Sequence, residues 1–304
     1  MTGIHFKDIT LPQDPVFIVG YPRSGTTLLQ GLLATQTGIY SLPETHYFNV
    51  IEKEISVDGD GHILPACLDN VFEKIREKME FQFDEEEKGV IYRLTEEKKC
   101  TSKTLFECIV AYFLCPQPGK NSFPASFRWL EKTPYHANFL DRIAMFYPAV
   151  QILHIVRHPV PAVYSRKRNF PYNKETPVSR LAAHWNHIQQ NVERFKEQSP
   201  GTVYSLRYED LVKDPGKELE TITAFLNIPF DAAAISRAAQ ATRPFILASE
   251  PWKQADLKKD GTDTNDTYKE TITNADADAV EKITADRMQT YGYTSYFNDN
   301  DEKF

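Results

Sequence analysis

Cysteine is scarce in this chain, and long apolar runs are missing altogether. Only four cysteines occur, Cys67, Cys100, Cys108 and Cys115, with no C-x-x-C pair and no nearby histidine at a zinc-binding spacing. That excludes a disulfide-stapled scaffold and a cysteine-rich zinc module, and it predicts reduced thiols. No stretch approaches the roughly 18 consecutive apolar residues of a membrane span. The opening MTGIHFKDITLPQD carries no basic cluster leading into an apolar run, which speaks against a signal peptide and for a cytoplasmic protein. Positive charge is the minority: 35 Lys and Arg stand against 42 Asp and Glu, a formal net charge of −7. Such a surface repels nucleic acid and anionic membranes, so any anion site has to be local.

What is present suits a globular α/β protein. Of 304 residues, 41% are hydrophobic and 12% aromatic, enough for a sizeable core and consistent with one domain over 1–304. Three short apolar runs read as buried strands: Val16 to Gly20, Val150 to Val156 and Thr202 to Leu206. Helix-like sequence follows each, which predicts β-α units and a central parallel β-sheet with flanking helices. The first helix carries leucines at 28, 29, 32 and 33 and meets Gly38 near its end; the second begins near Pro159. In the third, Asp214 caps, Pro215 takes the first helical position, and Leu219, Ile222, Phe225 and Leu226 form the stripe. Residues of about 51–126 turn charge-rich and amphipathic. They predict a helical insertion, either shaping a substrate pocket over the sheet's carboxyl edge or forming a solvated lobe. A loop over about 245–275 reads as mobile, ahead of a last helix through DADAVEKITADRMQTYG.

GYPRSGTT, Gly20 to Thr27, has the Gly-x4-Gly spacing of a phosphate loop set between strand and helix, where backbone N–H groups converge on an anion. Thr26 stands where a nucleotide-triphosphate loop has lysine. Arg23 instead offers a planar cation that can fork onto an anionic group without a metal. After the second strand come Arg157 and, two helical turns on, Ser165. Ligands bind outside the carboxyl ends of strands in an open parallel sheet, so this second site and the first loop can share a crevice. Two separated anion sites suit a ligand with phosphates at both ends, unlike ATP.

The sequence resembles the sulfotransferases that use 3′-phosphoadenosine 5′-phosphosulfate (PAPS), which implies a sheet of the P-loop nucleotide-hydrolase-like kind. The resemblance rests on PRSGTT at Pro22 to Thr27, the Arg-x7-Ser of Arg157 and Ser165, and SLRYEDLVKDP at Ser205 to Pro215, in family order over about residues 15 to 230. It implies that Arg23, Ser24, Gly25, Thr26 and Thr27 hold the 5′-phosphosulfate, and that Arg157 and Ser165 hold the 3′-phosphate. Tyr208 would approach the adenosine, or else pack as a core tyrosine. Trp252 and Lys253 would belong to a loop closing on the nucleotide. PAPS would be the co-substrate, giving adenosine 3′,5′-bisphosphate (PAP), with no metal.

For the acceptor, an attacking hydroxyl needs a base within reach. In the glutamate-base branches that this chain resembles, tyrosylprotein sulfotransferases among them, that base follows the first helix; Glu44 matches it, with His46 as the competitor. Lys132, in RWLEKTPYHANFL, matches a lysine that stabilises the leaving oxygen, so Glu44, Lys132 and Arg23 form the implied catalytic set. His136 reads as a packing histidine. One of Arg166, Lys167 and Arg168 is expected to extend the 3′-phosphate site. Tyr47, Phe48, Phe170 and Tyr172 read as core aromatics before pocket lining. The expected acceptor is a small-molecule, lipid-linked or carbohydrate hydroxyl, with an amine as the lesser option. Two other readings stay open: a small-molecule kinase using ATP-Mg, and a catalytically silent nucleotide-binding protein.

Overall fold

The computed structural model describes residues 11–12, 14–114, 127–238, 240, 243–247 and 271–297. Trp252, Lys253, most of the 245–275 loop and the end of the insertion therefore lie outside the described residues. Five strands make one parallel sheet: β1 (Val16–Gly20), β2 (Ile39–Ser41), β3 (Arg128–Lys132), β4 (Gln151–Val156) and β5 (Val203–Arg207), in the order β2-β3-β1-β4-β5. The three strands expected from the apolar runs are there, with ends shifted by a residue or less. β1 lies at the centre, Val16 opposite Leu130 on one side and Gln151 on the other. The chain winds toward β3 and β2 from one edge of β1 and toward β4 and β5 from the other, so a crevice opens at its carboxyl end.

Alternation along β1 divides the interior into two cores. Val16 and Ile18 face Leu29, Leu32 and Leu33 of α1 (Thr26–Ala34) and the helices α8 (Tyr208–Lys213) and α9 (Pro215–Leu226). Phe17 and Val19 face the larger core, which takes in Trp129, Phe106 and Trp185. The insertion is helical as expected, with α2 (Leu68–Met79), α3 (Glu85–Glu96) and α4 (Ser102–Leu114). Leu68, Val71, Phe72, Ile75 and Met79 of α2 bury at helical spacing against the same core, so this lobe is not a solvated appendage. Asp84 and Glu87 form a reciprocal capping box at the start of α3.

β2, β3 and α7 (Val178–Gln198) are not among the apolar runs. β3 reads RWLEK, three charged residues in five, yet every position is buried. Arg128 meets that burial by donating to the carbonyls of Asp14, Pro15 and Leu226 and to Gln151 Oε1, so a cation ties the amino end of the strand to α9. The long α7 buries Leu181, Trp185, Ile188, Val192 and Phe195, each worth roughly 1.5–3 kcal/mol of apolar burial. It packs on α6 (Pro159–Asn169) and on α10 (Asn274–Thr290), the expected last helix; α5 (Leu140–Phe146) completes the set. Asp214 caps α9 by accepting from Lys217 N, with Pro215 at the first helical position.

Candidate active site

The loop between β1 and α1 is built by backbone geometry. Gly20 and Gly25 cannot carry a side chain: a Cβ would lie 2.5 Å from the Ile155 carbonyl oxygen at the first and 2.4 Å from Tyr208 Cδ2 at the second, where φ is +93°. Arg23 itself adopts a left-handed φ of 77°, a conformation that costs a residue with a Cβ and is held only where neighbours over-determine it. The neighbours are visible. Arg23 Nε donates to Ser165 Oγ at 3.1 Å, and Arg157 Nη1 donates to the Arg23 carbonyl at 3.0 Å. Arg157, which is buried, lies 4.5 Å from the Tyr208 ring centroid as a cation–π pair. The first loop, the end of β4, α6 and the start of α8 are thus joined through named contacts.

Two features of the loop suit an anion. Helix α1 has no side-chain cap at Gly25, so no side chain of its own accepts from its first-turn amides. Ser24 is fully buried and its Oγ finds no partner. A buried hydroxyl without a partner is costly, and an oxyanion seated on the helix start would satisfy it together with the amides.

On the other side of β1, Lys132 ends β3 and is 1% exposed. Its Nζ contacts Glu44 Oε1 directly and reaches Thr27 Oγ1 at 3.4 Å. One ammonium therefore spans the expected base and the first turn of α1. The outer oxygen of Glu44 lies 3.4 Å from His46 Nε2, which places the two rival bases side by side.

What fixes Glu44 is Glu131, a residue the sequence reading passed over. It is fully buried one position before Lys132 and accepts from Thr45 N at 3.2 Å, Thr45 Oγ1 at 2.9 Å and Thr133 Oγ1 at 2.6 Å, while its second oxygen meets His136 Nδ1 at 2.9 Å. Thr133 Oγ1 in turn accepts from His46 N at 3.3 Å. Burial pushes the Glu131 carboxyl's pKa upward; the His136 charge and the hydrogen bonds from His136, Thr133 and Thr45 outweigh it and hold it below the usual carboxylate range. His136 is the packing histidine expected, and Glu131 anchors the Glu44-Thr45-His46 turn at Thr45 directly and at His46 through Thr133. A charged residue in a strand whose neighbours are buried is the signal that could have found it.

Tyr47 and Phe48 are core residues, whereas Tyr172 is 70% exposed. Of the basic run after Ser165, Lys167 donates to the Thr176 carbonyl, Arg168 is exposed, and Arg166 turns to Tyr135 and His184.

The sequence profile of the sulfotransferase family matches residues 15–232, the span from β1 past α9. The chain belongs to the sulfotransferase family. Protein-tyrosine sulfotransferase 1 of Danio rerio is 25% identical to it over 236 residues, covering 76% of this chain and 57% of that one. An Aquifex aeolicus relative is 22% identical over 253 residues, which is 81% of this sulfotransferase but 28% of the longer protein. This chain thus spans little more than half of one curated relative and under a third of the other. Among solved structures, the sulfotransferase domain from the curacin biosynthetic pathway superposes with a TM-score of 0.59 at 21% identity, covering 94% of this chain and 99% of that domain. A mouse sulfotransferase complexed with PAP gives 0.53 at 15% identity, covering 93% and 88%. At these identities the likeness establishes a shared fold, and the parallel sheet with its phosphate loop is common ground.

Proposed function

We propose that this sulfotransferase moves a sulfuryl group from PAPS to an acceptor hydroxyl, with the donor lying across the carboxyl end of β1. The observation that carries the reading is the pair of contacts joining the two anion sites: Arg157 bonds the Arg23 backbone while the Arg23 side chain bonds Ser165. A ligand charged at both ends could then be gripped by one continuous surface. The orphaned Ser24 hydroxyl and the uncapped start of α1 fit the 5′ end, and Arg157 with Ser165 fits the 3′-phosphate. PAPS supplies the sulfuryl group and carries away negative charge on the departing 5′-phosphate oxygen, by analogy with phosphoryl transfer.

The chain's own residues then divide the work. Glu44 takes the acceptor hydroxyl's proton as that oxygen bonds to sulfur. Lys132 and Arg23, with the Thr26 and Thr27 hydroxyls and the α1 amides, stabilise the phosphate oxygen left behind. Lys132 suits this role because it already touches both Glu44 and Thr27. Tyr208 packs beneath Gly25 and Arg157, which supports an adenosine-side role together with a core one. We place the activity in the cytoplasm, with a small-molecule, lipid-linked or carbohydrate acceptor. Free thiols at Cys67, Cys100 and Cys108 support the reducing compartment, and no helix among the described residues is long and apolar enough to cross a membrane.

Thermal unfolding with ligands tests the reading. PAP should raise the melting temperature and ATP-Mg should not. Stabilisation by ATP-Mg alone would favour a kinase, and PAP binding with no turnover on an acceptor panel would favour a silent protein.

A further inference from the structure

Arg166 is 7% exposed, and the groups in contact with it are neutral. Its Nη1 meets His184 Nδ1, its Nη2 donates to the Tyr135 hydroxyl at 2.6 Å, and the Tyr21 and Tyr135 rings lie 5.1 and 5.6 Å away as cation–π partners. His184 stacks on Tyr135, and burial, reinforced by the Arg166 charge, holds its pKa down at about 4, so it accepts from the guanidinium as a neutral ring. Burial raises the Tyr21 and Tyr135 hydroxyls, which keeps both as phenols. No carboxylate among the described residues pairs with Arg166. Neither its Nε nor the fully buried Tyr21 hydroxyl makes a well-formed hydrogen bond, although the guanidinium lies close enough to Tyr21 to offset part of the effect of burial. A buried cation without a counter-charge is costly unless an anion arrives to meet it.

The position of this cluster tells which anion. Arg166 follows Ser165, Tyr21 lies in the phosphate loop two residues before Arg23, and Tyr135 lies three residues past Lys132, so three chain neighbours of the proposed machinery converge. Tyr135 also feels the charges of both Arg166 and Glu44, which puts the cluster on the base's side of the site. With Nη1 and one hydrogen of Nη2 engaged, the guanidinium keeps Nε and the other Nη2 hydrogen for a side-on fork, and the Tyr135 hydroxyl keeps its own proton to donate.

We propose that Arg166 and Tyr135 form a subsite for an oxyanion carried by the acceptor, so that the preferred acceptor is an anionic alcohol or phenol. The subsite rests on the sulfotransferase reading and adds the charge of the second substrate. It is also why Arg166 is not counted with the 3′-phosphate ligands.

The test uses the whole chain saturated with PAP and calorimetric titration of three phenols: 4-hydroxyphenylacetate, the isosteric neutral 4-hydroxyphenylacetamide, and 4-hydroxybenzylphosphonate. At least one anion should bind ten-fold more tightly than the amide, and the tighter of the two anions names the oxyanion as planar or tetrahedral. Arg166→Gln should erase the preference and Arg166→Lys should keep part of it, while the PAP Kd, which also reports folding, stays within three-fold of wild type. Wild-type protein that treats acid, phosphonate and amide alike, including by binding none, overturns the subsite. So does a preference that survives Arg166→Gln. Wild-type protein that does not bind PAP fails at the earlier step and takes the donor reading down with the subsite.

Discussion

Arg157 donates its Nη1 hydrogen to the backbone carbonyl of Arg23, 3.0 Å away, so the guanidinium after β4 props up the residue with the least comfortable backbone in the phosphate loop. The two arginines are therefore coupled, and changing one disturbs the other.

Arg157→Ala should weaken PAP binding by about 10- to 100-fold, the loss expected for a charge-assisted hydrogen bond of roughly 1.5–3 kcal/mol. Calorimetry should show it. Turnover at saturating donor should fall much less, and a variant that binds PAP as tightly as wild type would remove Arg157 from the donor site.

Glu44→Gln keeps the shape and removes the base. The expected outcome is a kcat lower by about 10²- to 10⁴-fold with PAP affinity within a few-fold of wild type. His46→Gln should cost far less; if the two effects are reversed, His46 is the base.

Gly25→Ala should cost roughly 1–3 kcal/mol of stability and abolish PAP-induced thermal stabilisation, because the new Cβ meets the Tyr208 ring in a backbone conformation that alanine resists. Tyr208→Ala removes the ring that collides but leaves a cavity in the core, so the double variant should lose less than the sum of the two single changes.

Glu131→Ala strips Thr45, Thr133 and His136 of their common partner. A loss of roughly 3–5 kcal/mol is expected by urea unfolding, as for other broken buried charge clusters. Residual activity should drop as well, since the turn that carries Glu44 loses its anchor.

His154 is buried with Nε2 2.7 Å from Gln189 Oε1, and burial lowers its pKa to about 4. The unfolded chain takes up that proton near pH 6.5 and the folded one only near 4, so stability should fall across that window and level off below it. A shift of this size corresponds to about 3 kcal/mol. Urea midpoints between pH 7 and 4 for wild type and His154→Gln should diverge on acidification, with the variant the less sensitive.

The parts of the fold that were legible in the chain are those where one kind of burial dominates. β1 and β4 are covered on both faces and so read as apolar runs, and Pro159, Asp214 and Pro215 announced their helix starts through cap chemistry. β3 was hidden because its charges are satisfied inside the protein, by backbone carbonyls around Arg128 and by hydroxyls around Glu131, which no periodicity reports. Arg23, Arg157 and Ser165 stood out because an anion loop would need those residue types near strand ends, and the structure brings the three into contact. Arg166 was grouped with Lys167 and Arg168 as a basic run, since sequence adjacency on a helix conceals that each points to a different neighbour.

The contact between Lys132 and Glu44 implies a sequence of events. Lys132 holds the carboxylate proposed as the base while also reaching Thr27 at the start of α1. On the proposed reading, a donor phosphate at the start of α1 would compete with Glu44 for the same ammonium and free the carboxylate to act. Turnover should then follow a compulsory order, nucleotide first on and last off, which product-inhibition patterns would reveal as PAP competing with PAPS alone.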